Sequence, residues 1–244
     1  MPDASLQMDV DELVSYLAHT TIPTLLVEGD GDKALLRRIE QELIQENIDL
    51  MPLGGKGSLQ NVYVRRHELA SSPVAFLRDR DECAVVDMPT DWGDYVLTAG
   101  YSIENDVIDR AVIGKLAGAE FPVLLKLVTL MAEWFRAVLQ DYVQNGRKAE
   151  IARDVSAVLD GDALSKRSLE EVSQVALAEP FTNLDLDHDS WRWLRGKSLL
   201  RVIHHFFSSR DPSYGKDQLI DLSIRLGPSE SFCLLVERIK AKFN

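Results

Sequence analysis

The sequence predicts an α/β fold in which a mostly parallel sheet with helices on both faces is followed by a helical region. Up to about residue 98, strand-like apolar runs alternate with helical patterns, as in parallel sheets built with right-handed crossovers. After Ile103, nearly every apolar pattern has helical spacing. Apolar residues make up 45% of the 244 residues, which is enough to form a buried core.

The sheet-forming part starts with a short amphipathic lead-in helix and continues as strand, helix, strand, helix, strand. The strands are continuous apolar runs, as expected for strands that are covered on both faces. In the helix after the first strand, Leu35, Ile39 and Leu43 recur at helical spacing. In order, the segments are helix 10–18, strand 23–27, helix 33–45, strand 48–53, helix 58–69 and strand 74–77, with short strands at 84–86 and 95–98.

The second half of the chain is predicted to be helical throughout. It has no internal repeat and no low-complexity stretch. The predicted helices are 121–142, 149–159, 169–177, 191–207, 216–226 and 230–243. The predicted domains are a lead-in helix in 1–20, an α/β domain in 21–116, and a helical insertion with a C-terminal helical region in 117–244.

Composition and charge narrow the classes of function. The formal net charge of −12 argues against a protein that binds nucleic acid through its whole surface, but it allows a local basic track or a metal-bridged site. The apolar run 121–128 is too short to cross a membrane and contains Lys126. Two cysteines predict neither a disulfide framework nor a zinc cluster. We therefore expect a cytoplasmic protein that does not bind membranes.

Four carboxylates follow the ends of predicted strands. Glu28 ends the first strand, Asp32 lies four residues later, and Asp79 and Asp81 end the third strand. Ligands of open parallel sheets bind beyond the carboxyl ends of the strands, where these acids would gather. Clustered carboxylates repel one another until a cation binds, and their hard oxygens suit Mg²⁺ or Mn²⁺. Each acid taken alone is more often a helix cap or a turn residue, so the prediction depends on the joint pattern.

That joint pattern, Glu-Gly-Asp-Gly-Asp after the first strand and Asp-x-Asp after the third, resembles the TOPRIM family of topoisomerases, primases and nucleases. The resemblance implies a TOPRIM-type, Rossmann-like domain. It also implies that Glu28, Asp79 and Asp81 bind the metal and that Glu28 takes part in catalysis. Asp32 is similar to an additional metal-binding Asp of the OLD-like members.

Two later elements resemble a small OLD-like group from bacterial anti-phage defence systems of the PARIS type. The Ser-Ile-Glu-Asn sequence at 102–105 implies that Glu104 is a further metal ligand, and Gly196-Lys197 implies a catalytic role for Lys197. By this resemblance, the chain is a toxic Mg²⁺- or Mn²⁺-dependent nuclease that acts on RNA or DNA, with transfer RNA as a candidate substrate. The resemblance also implies control by a partner ATPase, and we expect a homodimer in the active state.

Basic residues near the predicted site are expected to contact the nucleic-acid backbone. The predicted contacts are Lys56, Arg65 and Arg66. Arg78 and Arg80 alternate with the two aspartates, so on a strand they would point to the opposite side. For these two arginines, a structural role and a substrate-binding role both stay open.

Two other functions stay open. One is a non-catalytic interaction module that keeps the TOPRIM fold and acts through its partner. The other is a dinucleotide-binding oxidoreductase, because residues 29–34 also fit the loose pattern G-x-G-x-x-A, with Asp49 about twenty residues further on. Asp30 and Asp32 oppose the second alternative, since they would face a pyrophosphate with like charge. The pairs Gly55-Lys56 and Gly196-Lys197 do not fit a P-loop.

Overall fold

The computed structural model describes residues 8–29, 33–146, 151–208 and 210–244. Its contacts divide the chain into two compact units. Unit 1 comprises the described residues up to 78 together with 91–97 and 234–244, and unit 2 comprises those in 79–90 and 98–233. The units are thus interleaved along the sequence, whereas the sequence-predicted domains are continuous segments.

Unit 1 contains a four-stranded sheet in which all neighbouring strands are parallel, in the order β2-β1-β3-β4. This confirms the predicted α/β class with a parallel sheet. Val27 pairs with both Pro52 and Leu77, so the three longer strands end at the same edge of the sheet. The strands are β1 (Thr24–Val27), β2 (Asp49–Pro52), β3 (Val74–Arg78) and β4 (Val96–Leu97).

The helices of unit 1 bury one apolar face each, as their spacing predicts. In α2, Leu35, Ile39 and Leu43 are completely buried one helical turn apart. The lead-in helix begins at Asp9, where a capping box with Glu12 satisfies backbone amides of the first turn. The helices are α1 (Val10–Ala18), α2 (Lys33–Leu43) and α3 (Lys56–Val64), with 3₁₀ turns at Ile44–Glu46 and Arg66–Leu69.

Unit 2 is built of helices around the long helix α6. The described core of α6 includes Trp134 and Phe135, both fully buried, and the helix ends where Gly146 adopts a left-handed φ of 70°. The helices are α4 (Ile103–Val107), α5 (Arg110–Ala117), α6 (Phe121–Asn145), α7 (Val155–Val158), α8 (Lys166–Gln174), α9 (Ser190–Trp193), α10 (Gly196–Ser208) and α11 (Lys216–Arg225). The boundary with unit 1 falls within α12 (Glu230–Lys240).

Three predictions for unit 2 are wrong. The predicted strand 84–86 is absent, because hydrogen bonds from Cys83 N to Arg80 O and from Val85 N to Glu82 O close 3₁₀ turns there. The predicted helix 149–159 begins outside the described residues, and its described part is helical only in α7. The chain then forms an antiparallel hairpin. The predicted helix 191–207 is broken between α9 and α10, where Leu194 is extended. The hairpin strands are β5 (Leu159–Asp160) and β6 (Ala163–Leu164).

Both cysteines are free; Cys83 is buried and Cys233 is exposed. Across the described ranges, no helix has the length and apolarity required to span a membrane.

Candidate active site

In unit 1, Glu28 directly follows the central strand β1 at the edge where the strands end. Its backbone carbonyl accepts a hydrogen bond from Gly55 N, and Val27 O accepts one from Leu53 N at 3.0 Å. Gly54 and Gly55 have φ values of 75° and 145°, which side-chain-bearing residues rarely adopt. These glycines therefore allow the turn after β2 to close tightly against Glu28.

A cationic side chain lies beside Glu28 inside unit 1. Arg78 is only 5% exposed, and its Nε is 3.9 Å from Glu28 Oε1. Its guanidinium donates to Gln60 Oε1 at 2.6 Å and lies 3.8 Å from the centre of the Trp92 ring. Tyr95 also donates to Gln60, and burial, as the largest cause, raises the pKa of Tyr95 to about 12. These contacts give Arg78 a structural role and place a positive charge next to Glu28.

In unit 2, the carboxylate of Asp79 contacts the first residue of α4, the helix that carries Glu104. Asp79 Oδ1 accepts a hydrogen bond from Ile103 N at 3.0 Å. Ser102 precedes the helix in an extended conformation, and its hydroxyl donates to Glu104 Oε2 at 2.5 Å. Glu104 is 1% exposed, so its carboxylate is held inside the unit and not in bulk solvent. The structure therefore places the Asp79 carboxylate against the residue that precedes Glu104, although the two acids are 25 positions apart in sequence.

Asp81 approaches the same loop through its backbone. Its φ is 50°, a left-handed value that is uncommon outside glycine, and its N–H donates to Tyr101 O at 2.7 Å. Burial, followed by the charge of Asp81, raises the pKa of the Tyr101 hydroxyl. Asp79 thus contacts the first residue of α4 through its carboxylate, and Asp81 contacts the segment before α4 through its main chain.

Lys197 is exposed in the first turn of α10 and belongs to the same unit. The residue before it, Gly196, is buried against α4: a Cβ added there would overlap the Ser102 hydroxyl and lie 2.8 Å from Glu104 Cβ. The α10 N-terminus therefore packs directly on the segment that carries Glu104. Because backbone amides at a helix N-terminus are partly positive, this end of α10 favours an anion.

The sequence reasoning missed Asp106, which organises this region. It is 1% exposed, and its two carboxylate oxygens accept hydrogen bonds from Ala99 N and Gly100 N, both at 2.8 Å. The loop before α4 is thereby fixed to the helix. Asp106 follows directly after the Ser-Ile-Glu-Asn element, but no spacing rule distinguishes it from a solvated helical acid.

The predicted nucleic-acid contacts lie at opposite ends of α3. Lys56 is exposed at its start, next to the glycine turn after β2. Arg65 and Arg66 follow its other end, about 13 Å away at 1.5 Å per residue. Arg65 forms an ion pair with Asp11, and Arg66 forms one with Asp94 at 2.7 Å. The structure therefore does not bring Arg65 and Arg66 next to Lys56.

At the far end of α3, a cleft of about 620 Å³ is lined by Arg66, His67, Phe76 and Asp94, among other residues. It adjoins the start of β3, whereas Glu28 lies where β1 ends. The cleft is thus separate from Glu28.

The predicted ligand Asp32 and its neighbour Asp30 lie outside the described residues. Among the residues that the structure does describe, no three His, Cys, Asp or Glu side chains are already grouped as a metal site. The chain matches no protein-family model, and no curated protein is similar to it in sequence.

The donor set of unit 2 still fits a hard divalent cation. Asp79 and Glu104 supply carboxylate oxygens at the start of one helix. Mg²⁺ usually binds through one or two carboxylates and completes its shell with water and substrate phosphate oxygens. Lys197, exposed one residue after Gly196, would then adjoin the phosphate. This set of residues can therefore support cation-assisted cleavage of a phosphate ester.

Proposed function

We propose that this chain is a Mg²⁺- or Mn²⁺-dependent nuclease of the TOPRIM type. The observation that carries the proposal is the assembly of three separate sequence elements within unit 2. Asp79, the 102–105 element and Gly196 converge on the first turns of α4 and α10. The family resemblance singles out the same three elements from the sequence alone, and a structural accident would not favour their convergence.

In this proposal, Asp79 and Glu104 hold the cation. The resemblance by itself also implies metal-binding roles for Glu28, Asp32 and Asp81. The bound cation would neutralise charge on the phosphate and lower the pKa of a water molecule. The hydroxyl of Ser102 donates a hydrogen bond to Glu104 Oε2 and so orients the carboxylate. An ionised carboxylate is the form that binds a metal.

Lys197 acts on the phosphate in this scheme. Its ammonium group is placed by the first turn of α10, where the helix dipole also favours negative charge. A fixed positive charge of this kind stabilises a transition state more than a ground state, because the negative charge on the leaving oxygen grows during cleavage. The side chain of Glu28 retains the catalytic role that the resemblance gives it.

The biological part of the proposal follows the same resemblance. We propose a toxic effector of bacterial anti-phage defence that cleaves transfer RNA and is restrained by a partner ATPase, with a homodimer as the active form. Because the net charge is −12, we expect substrate binding to depend on the cation and on local basic residues such as Lys56 and Lys197.

The test is cleavage of transfer RNA, single-stranded RNA and plasmid DNA with Mg²⁺, with Mn²⁺ and with EDTA, for wild type and Glu28→Ala. We expect cleavage of one substrate class that needs the metal and is lost in the variant. Metal-independent cleavage, or full activity of Glu28→Ala, would contradict the proposal.

Expression in cells separates the nuclease from the non-catalytic interaction module. A nuclease loses its toxicity with Glu28→Ala, although the protein folds and accumulates. An interaction module stays toxic with the same substitution, and it binds its partner as the wild type does.

A further inference from the structure

Asn105 connects the two helix starts of the candidate site. Its side-chain NH₂ group donates to Trp191 O at 2.7 Å and to Leu194 O at 2.8 Å. Its side-chain oxygen accepts from Ser102 N at 3.0 Å. Asn combines two donors with an acceptor at this length, so neither Asp nor Ala could replace all three bonds.

The turn that receives these bonds is the break between α9 and α10. Further hydrogen bonds join this turn to the loop before α4: Tyr101 N donates to Arg192 O at 2.8 Å, and Arg192 Nε donates to Ala99 O at 3.2 Å. At the end of the turn, Gly196 leaves no room for a Cβ against Ser102 and Glu104. The direction in which α10 leaves the turn is therefore set by the segment that carries Glu104.

We infer that Asn105 is a positioning residue that holds Lys197 at the carboxylates Asp79 and Glu104. The inference rests on the proposed function and deepens it. Asn105 does not itself contact the phosphate. It fixes the two carbonyl groups that end α9, and thereby the first turn of α10 from which Lys197 extends. A catalytic charge needs such support, since a displacement of about 1 Å can cost roughly 100-fold in rate.

A double-variant cycle tests the inference, because it separates positioning from general stability. The variants are Asn105→Ala, Lys197→Met and both together, assayed on bulk transfer RNA with Mn²⁺. Asn183→Ala is the matched control, since Asn183 is exposed and donates to Glu179. We expect Asn105→Ala and Lys197→Met each to lower kcat by roughly 10- to 100-fold. In the Lys197→Met background, Asn105→Ala should then change kcat by less than about threefold.

The inference would be overturned if the fold losses in kcat of the two single variants multiplied in the double variant. It would also be overturned if Asn105→Ala had the kcat of the wild type. Asn105→Asp is a second variant for the case that Asn105→Ala does not fold. Asn105→Asp keeps the size of the side chain and the oxygen that accepts from Ser102 N. It removes both N–H donors and places a negative charge against the carbonyl groups of Trp191 and Leu194.

Hydrogen exchange distinguishes a failure of this inference from a failure of the proposed function. If the wild type cleaves no nucleic acid, the proposed function fails, and the exchange of amides 191–199 decides the role of Asn105. Loss of two hydrogen bonds should speed exchange there by roughly 10- to 100-fold, with the exchange in α11 unchanged. Unchanged exchange at 191–199 would show that Asn105 does not hold this turn.

Discussion

Replacement of Gly196 by Ala is the perturbation that most directly probes how α10 meets α4. The backbone φ of Gly196 suits any residue, so the cost of the change is steric. The new Cβ would overlap the Ser102 hydroxyl and lie 2.8 Å from both Asn105 Oδ1 and Glu104 Cβ. Overpacking of this kind typically costs about 1–3 kcal/mol. The better helix propensity of Ala offsets at most about 1 kcal/mol of this loss in stability.

We therefore expect Gly196→Ala to lower the stability of unit 2 by about 1–2 kcal/mol. For a chain of this size, that is a fall in Tm of roughly 2–8 °C. The matched control is Gly57→Ala, near the start of α3, where an added Cβ has no neighbour within 4 Å. The control should be neutral or slightly stabilising in the same thermal or urea melt. If Gly196→Ala is as stable as Gly57→Ala, the close packing of α10 on α4 is refuted.

Three further predictions concern charges that are wholly or partly buried. Although burial opposes it, hydrogen bonds from Arg153, Trp134 and Arg167 lower the pKa of Glu171. The contribution of the ionised Glu171 to stability is then complete at pH 7 and is lost as the pH falls below the ordinary pKa of 4.5. The difference in free energy of unfolding between wild type and Glu171→Gln, measured with urea, should therefore be smaller at pH 3 than at pH 7. A gap that is constant with pH would contradict this assignment. Asp106→Asn replaces a carboxylate oxygen that accepts a backbone N–H by an NH₂ donor. It should lower the free energy of unfolding by about 1–3 kcal/mol in the same urea measurement. An unchanged urea midpoint would contradict the role of Asp106 in fixing the loop before α4. Arg78→Met removes the guanidinium that contacts Gln60 and Trp92, and it should lower the free energy of unfolding of unit 1 by about 2 kcal/mol. An unchanged free energy of unfolding would mean that these contacts do not stabilise the sheet.

The strands of unit 1 follow from the sequence because their signal is local. Continuous apolar runs predict β1, β2 and β3 to within one or two residues, and the spacing of Leu35, Ile39 and Leu43 predicts α2. The positions of Glu28 and Asp79 at strand ends follow from the same strands. These parts of the site could therefore be located without any tertiary information.

The break between α9 and α10 could not be predicted in this way, since the apolar pattern continues through it. At this break, the carbonyl group of Leu194 accepts a hydrogen bond from Asn105, 89 residues earlier. The hairpin after α7 turns at Gly161, which has a left-handed φ of 61° and lies just beyond the predicted helix 149–159. The contact between Asp79 and Ile103 N likewise requires residues 24 positions apart to meet. Each of these features depends on a distant partner or on one backbone angle.

The most direct test of the central claim is the rate of cleavage by Glu104→Gln on the substrate class that the wild type cleaves with Mn²⁺. The matched control is Glu170→Gln, because Glu170 is an exposed acid of α8 in the same unit. We expect Glu104→Gln to cleave roughly 100-fold more slowly than the wild type, or slower still, because the substitution removes a proposed ligand of the cation. Its melting temperature should stay close to that of the wild type. Glu170→Gln should cleave as the wild type does. Cleavage by Glu104→Gln at the wild-type rate would contradict the account.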